Sequence, residues 1–499
     1  MALKDLVRDL AKYFPSQVIP AVVAFASIPI LTNVFPPDDY GDYRLVLAAV
    51  ALLSPLGGWL STSIIRFFPE YDLEEKLGGF YGTVAKLFGI SVASFSVLWG
   101  FGLVLAGDRL RGNLRQLFYI GLLLLIINAA FGIIGSLIRS RREVGWFSFG
   151  ASARSLLNIG VGILLVVGLE TNISGFLWGM VIGGLIIVPV MWWRAQRGIS
   201  VTWRGPIDRA LGRAMLSYSY PLVLGLSATW LLRLSDRYIL EAFHGSTEVG
   251  IYAASYGLAD TSIGVIVTLF QLPFVVLANR IYEEKGDTEA ANFVSDSARL
   301  FLLTAVPAAV GMSVLASPLV RLLTGPEYLE GYRIIPFVTT ATLLSGLGFW
   351  YRTAFMFRKR TGQQLIAISG GAIVNVGLNF LLIPRYGYYA AGITTLLGFF
   401  TVNVLSYYLG RKLFNWHLPL TSIGKALAAS VPMALVVGIL QRWSLLPTVM
   451  TLLLSIFLGI VTYVGGLLAM REFTKADVAK LRQFLRGSPI DRTEDLPGD

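Results

Sequence analysis

The chain has 499 residues, 55% of them hydrophobic and 14% charged, with a mean hydropathy of +0.67 and a formal net charge of +11. A composition this apolar excludes a soluble globular protein of such length, and the absence of cysteine excludes disulfides, thiolate metal centres and cysteine nucleophiles. The basic excess does not point to nucleic acid, because Lys and Arg fall in short loops between apolar runs and form no folded basic face.

Residues 1–13 carry Lys4, Arg8 and Lys12 ahead of an apolar run without a small-residue cleavage site. This reads as an interfacial amphipathic helix leading into a retained first span, not as a signal peptide; Leu3, Leu6, Val7, Leu10 and Phe14 share one helical stripe. Apolar stretches of about 20 residues then recur, each long enough to cross a hydrocarbon core of about 30 Å as a helix. They run at 14–34, 43–65, 80–106, 116–138, 146–168, 173–193, 217–240, 249–278, 294–323, 334–357, 363–383, 389–410, 422–441 and 447–470. They are continuous and do not alternate, which excludes a β-barrel. The fold class is all-α, a polytopic membrane protein of about 14 transmembrane helices. Beyond the last span, Thr474 and Asp477 are spaced like a capping box, and Val478, Leu481 and Leu485 form a second amphipathic stripe.

Charge gives the orientation. With the N-terminus inside, cytoplasmic loops contain Arg139, Arg141 and Arg142, then Arg194, Arg197, Arg204, Arg209 and Arg213, then Arg358, Lys359, Arg360, Arg411 and Lys412. A tail over 471–499 adds Arg471, Lys475, Lys480, Arg482 and Arg486, whereas the opposite loops 35–42, 169–172 and 241–248 have no Lys or Arg. The asymmetry follows the positive-inside rule and places both termini in the cytoplasm of a prokaryotic inner (plasma) membrane protein. The loop with Arg109, Arg111 and Arg115 is an exception without a physical account. His244 and His417 both fall in loops, leaving no metal cluster and no histidine relay within the spans. No GxxxxGK[ST] loop exists for nucleotide, and no cofactor is expected.

Two motifs occur twice. DYGDY at 39–43 is matched by EVGIY at 248–252, sharing an acid, Gly and Tyr at one spacing; LNIGVGILL at 157–165 is matched by VNVGLNFLL at 374–382, aligning Asn158 with Asn375 and Gly160 with Gly377. Each partner lies six spans on. Six is even, so both copies enter the membrane from the same side and are related by an axis along its normal. The predicted organisation is an N-terminal six-helix lobe (14–193), a basic cytoplasmic linker (194–213), a pseudo-symmetric C-terminal lobe (214–410) and two extra helices (422–470). Two facing bundles enclose a central site reachable alternately from each side, an architecture suited to a transporter.

VFPPDDYGDY (34–43), SDRYIL (235–240), EVGIYAASYGLA (248–259) and NVGLNFLLIPRYGYYAAGITT (375–395) together resemble the O-antigen-type polysaccharide biosynthesis flippases of the multidrug/oligosaccharidyl-lipid/polysaccharide (MOP) superfamily. The resemblance implies a V-shaped pair of lobes that moves a polyprenyl-diphosphate-linked oligosaccharide from the inner to the outer leaflet, and it implies no enzymatic chemistry. The last two helices resemble the extra pair of the lipid II flippase branch, but the first span lacks the arginines that branch carries there. H+ or Na+ as coupling ion, membrane lipids and glycan-assembly proteins are the further partners expected.

A lipid-linked sugar diphosphate presents an anionic, hydrated head, which guanidinium groups suit because they stay charged and offer forked donors. Charges deep in spans are therefore candidates. Arg154, one turn before Asn158, and Arg233 are assigned to diphosphate contact. Asp236 and Arg237, at i+3 and i+4 from Arg233, can neutralise part of its charge, and Asp260 can pair with it across helices. A structural ion pair and a gating or ion-coupling role for Asp236 and Asp260 both remain open. Arg66 and Arg352, with Lys86 and Arg299, lie near cytoplasmic ends, where they snorkel or serve substrate entry. Asn158 and Asn375 bond sugar hydroxyls or join helices. A cation-coupled multidrug exporter of the same superfamily is the alternative reading; it calls for cavity carboxylates, whereas the deep charges here lean basic. A membrane glycosyltransferase would need a long outer loop, and none is present.

Overall fold

The computed structural model describes residues 3–107, 110, 112–443 and 446–473. The expected amphipathic stripe at 474–485, the tail cations beyond Arg471, and Arg109 and Arg111 lie outside the described residues. Among the described residues every regular element is helical. The first half comprises α1 (Leu3–Val34), α2 (Pro37–Leu73), α3 (Leu77–Ala106), α4 (Gly112–Ser140), α5 (Val144–Ile163, continued by a π turn, Leu164–Gly168) and α6 (Ser174–Gln196). The second comprises α7 (Arg209–His244), α8 (Ser246–Lys285), α9 (Asp287–Val314), the short α10 (Ala316–Leu323), a 3-10 segment (Pro326–Ile334), α11 (Ile335–Phe357) and α12 (Thr361–Gly410). α13 (Leu420–Trp443) and α14 (Thr448–Ala469) complete the chain.

Local chemistry explains the boundaries. α2 begins with Pro37 and has Asp38 and Asp39 in its first turn, where a missing N–H costs nothing and negative charge is favoured. α7 is capped by Asp208, whose Oδ1 accepts from the Leu211 N–H at 2.9 Å. Thirteen helical stretches are long and apolar enough to cross a membrane. One of them, the 50-residue α12, contains a single non-helical residue, Gly387 (φ 55°, ψ −142°), and so makes two crossings, giving the fourteen read from hydropathy. The break is capped from another helix: the Tyr388 N–H donates to Glu248 Oε2 at 3.1 Å.

Two details differ from the sequence reading. α1 runs unbroken from Leu3 to Val34, so no break separates an interfacial segment from the first span. The stretch 294–323 is divided at Leu315 between α9 and α10, because Pro318 has no N–H for the Val314 carbonyl.

The halves repeat each other in packing. α1 touches α5 as α7 touches α12, α2 touches α4 as α8 touches α11, and α4 touches α6 as α11 touches α12. Between the halves α2 meets α8, flanked by α1 against α8 and α2 against α7. In lipid, helices associate through close packing more than through water exclusion, so small residues mark the contacts. The twice-written glycine is one such contact. A Cβ on Gly41 would strike the Ser246 carbonyl, and one on Gly250 would strike the Pro37 carbonyl. Each copy therefore lets the start of its helix lie against the backbone of the other half. The Asn motifs match as well: a Cβ on Gly183 in α6 would meet the Asn158 amide, and one on Gly398 in α12 would lie 2.9 Å from Asn375 Cβ. α13 and α14 pack on the second half, where Met433, Val437, Leu452 and Leu467 join the core of α9 and α11.

Candidate functional site

A cavity of about 560 Å³ lies between α1, α7, α8, α11 and α12. Its wall is written as stripes at helical spacing: Gln17, Ala21 and Ala24 on α1, Asp260, Gly264, Thr268 and Gln271 on α8, and Thr342, Ser345, Phe349 and Arg352 on α11. The residues come from the middle stretches of α1, α8 and α11, away from the start of α8. The starts of α2 and α8 are in contact through Gly41 and Gly250. The two halves are therefore in backbone contact there, away from the cavity residues of α8.

Arg233, on α7, projects into this cavity. Its Nη1 donates to Asp260 Oδ1 at 3.2 Å and its Nη2 to Ser345 Oγ at 2.8 Å, with the guanidinium 5.2 Å from the centre of the Phe399 ring. Thr342 Oγ1 donates to the same Asp260 oxygen at 2.9 Å. The two charged side chains keep 32% and 30% of their surface accessible, so a solvated ligand can reach them. Arg352 lines the cavity on the neighbouring stripe and has no ion-pair or hydrogen-bond partner among the described residues. One partly neutralised and one unpaired guanidinium, with hydroxyls and amides alongside, form a site for an anion carrying hydrogen-bonding groups.

The other candidates lie elsewhere. Arg154 belongs to the first half, where it donates to Asn128 Oδ1 and stacks 4.7 Å from the Phe131 ring; it does not line the cavity that holds Arg233. Its Nε is buried without a partner. Asn158, with its amide oriented to satisfy both ends, donates to the carbonyls of Arg154 (3.0 Å) and Met180 (3.3 Å). Asn375 is fully buried and accepts from Asn379 Nδ2 at 3.2 Å. Asp236 pairs not with Arg233 but with Arg237 (3.2 Å), both 1% accessible, and accepts from Tyr252 Oη at 2.5 Å. This α7–α8–α12 network is closed to the cavity. Arg66 is exposed beside Phe67, Lys86 donates to the Gly205 carbonyl, and Arg299 bonds Glu472 (2.8 Å).

Sequence reasoning missed Gln17, Gln271, Thr342 and Ser345. The signal was present: Thr342, Ser345 and Arg352 sit at i, i+3 and i+10 within an apolar span, a polar stripe that lipid does not face.

Comparison with known proteins agrees with this architecture. Residues 6–276, more than half the chain, match the family model described as polysaccharide biosynthesis protein. A Haloferax volcanii protein described as a probable low-salt glycan biosynthesis flippase is 22% identical over 480 residues, 92% of this chain and 95% of that one. Among solved structures, a lipid II flippase in an inward closed conformation superposes with a TM-score of 0.77 at 16% identity, over 93% of this chain and 99% of that one. An inward-facing multidrug resistance transporter of the MOP superfamily superposes with a TM-score of 0.62 at 15% identity, over 80% and 97%.

Proposed function

The chain belongs to the polysaccharide biosynthesis protein family, and from that premise we propose that it is a flippase carrying a polyprenyl-diphosphate-linked oligosaccharide from the inner to the outer leaflet by alternating access. The observation that carries this reading is the cavity between the halves, with Arg233 and Arg352 on its wall and, among the described residues, Asp260 as the one acid lining it. The diphosphate exchanges its water for guanidinium donors while the sugar hydroxyls meet Gln17, Gln271, Thr342 and Ser345. The tail stays in lipid by leaving between α1 and α8, both of which contribute to the cavity wall.

In this scheme Gly41 and Gly250 form the outer closure and part when the lobes rock. Arg233 and Asp260 act as a switchable pair: the diphosphate competes with Asp260 for Arg233, and a proton or Na+ taken up by the released carboxylate supplies coupling. Asp236, Asn158 and Asn375 hold helices together within each half, Arg154 supports the first lobe, and Arg66 guides entry at the inner mouth. Both termini face the cytoplasm. The test is binding to the purified protein of a polyprenyl-diphosphate oligosaccharide against a cationic dye. Preference for the anionic lipid supports the flippase; preference for the dye identifies a drug exporter.

A further inference from the structure

A second cavity, of about 950 Å³, opens on the outer surface of the helix bundle between α2, α3 and α7. Leu56, Ile90, Phe95, Leu98 and Leu224 give it an apolar length, and Ser91, Ser94 and Ser227 are small enough to leave it hollow. Leu98, Leu216 and Tyr220 stand about half or more exposed along it. One end is basic: Arg209 and Arg213, one turn apart, line it, and neither has an ion-pair partner among the described residues. The nearest acid, Asp208, is engaged with the Leu211 N–H and the Tyr71 hydroxyl.

The groove shares no lining residue with the central cavity. Beside it, hydrogen bonds join α2 of the first half to α7 of the second. Ser219 Oγ donates to the Trp59 carbonyl at 2.8 Å, Ser63 Oγ to the Met215 carbonyl at 2.8 Å, and the two hydroxyls also touch one another. An occupant is therefore not a head group in transit but a molecule that stays in the membrane, with a chain for the apolar length and an anionic phosphate for the two arginines. We infer that the α2–α3–α7 groove is a binding site for an anionic membrane phospholipid, its phosphate on Arg209 and Arg213. The groove is walled by α2 and α3 from one lobe and α7 from the other, so the lipid binds the lobe arrangement that forms it and stabilises that state. The inner leaflet as its source rests on the orientation proposed above; the binding does not.

The experiment is native mass spectrometry of the full chain taken from nanodiscs of equimolar phosphatidylglycerol and phosphatidylcholine. Wild-type protein retains phosphatidylglycerol with a preference of roughly thirtyfold, that of two basic residues at a membrane surface. Arg209→Gln/Arg213→Gln, exposed positions that leave the fold intact, abolishes the preference while bound lipid persists. Ser94→Trp, whose indole obstructs the middle of the groove, lowers the retention of lipid. Equal retention of both lipids by wild type, or a preference that survives the double substitution, overturns the site. Displacement of phosphatidylglycerol by an added polyprenyl phosphate assigns the groove to the carrier tail and overturns the identity. The readout involves no glycan or transport, so its failure is distinct from failure of the flippase reading.

Discussion

Arg352 and Arg233 separate binding from stability. Arg352 faces the cavity unpaired, so Arg352→Gln leaves no orphaned partner and does not lower folding stability. The loss falls on the ligand. A charge-assisted hydrogen bond to phosphate contributes about 1.5–3 kcal/mol, so affinity for a polyprenyl-diphosphate oligosaccharide drops roughly 10- to 150-fold. Arg233→Gln costs as much in affinity but also strips Asp260 of its ion pair. Breaking a fully buried pair costs about 3–5 kcal/mol; with both partners near one-third accessible, about 1–2 kcal/mol remains. Arg233→Gln/Asp260→Asn therefore recovers the stability and not the binding. The assay is titration of the labelled lipid into protein in nanodiscs, with thermal unfolding of the same samples. Wild-type affinity in Arg352→Gln, or restored binding in the double variant, refutes the assignment of these guanidiniums to the diphosphate.

Gly41→Ala and Gly250→Ala each drive a methyl into backbone of the opposite half, at about 1–3 kcal/mol against that contact. In the naturally cysteine-free chain, a cysteine at Thr229 on the cavity wall then becomes more reactive to a membrane-impermeant maleimide added outside; unchanged labelling contradicts an outer closure. At the end of α14, burial alone would raise the Glu472 carboxyl, but hydrogen bonds from Ser422, Arg299 and Lys425 hold it below its ordinary value of 4.5. Its folded pKa is depressed, so its contribution is full above that ordinary value and fades as pH falls through the lowered one. Thermal unfolding at neutral pH should show Glu472→Gln about 1–2 kcal/mol less stable than wild type, and the gap should close in strong acid. For the buried network, Asp236→Ala leaves Arg237 uncompensated and costs about 3–5 kcal/mol, seen as loss of folded protein, whereas a surface-like role would leave the yield unchanged.

Span number was legible because it rests on a one-dimensional signal. Hydropathy counts crossings on both sides of a kink, as at Gly387, and the even number of spans between DYGDY and EVGIY is what proposes an axis along the membrane normal. The contact of Asn158 with Gly183, echoed by Asn375 with Gly398, was implicit in the motif pairs. Rotation about each helix was the harder quantity. Arg154 and Arg352 are both arginines within spans, yet depth does not tell which face a residue takes; Arg154 meets Asn128 and Phe131, and Arg352 meets the cavity. The pairing of Asp260 with Arg233 followed from matched depth on adjacent helices. That of Asp236 with Arg237 did not, because adjacent residues on a helix point apart unless a side chain folds back in the interior.

The proposed flippase moves an anionic lipid-linked glycan through the cavity that holds Arg233 and Arg352. The most direct test of that movement is the rate at which purified protein in liposomes transfers a fluorescent polyprenyl-diphosphate oligosaccharide between leaflets. Wild type should accelerate that transfer and Arg233→Gln/Arg352→Gln should not. A wild-type protein that leaves the lipid in place while exporting a cationic dye would be a drug exporter and not a flippase.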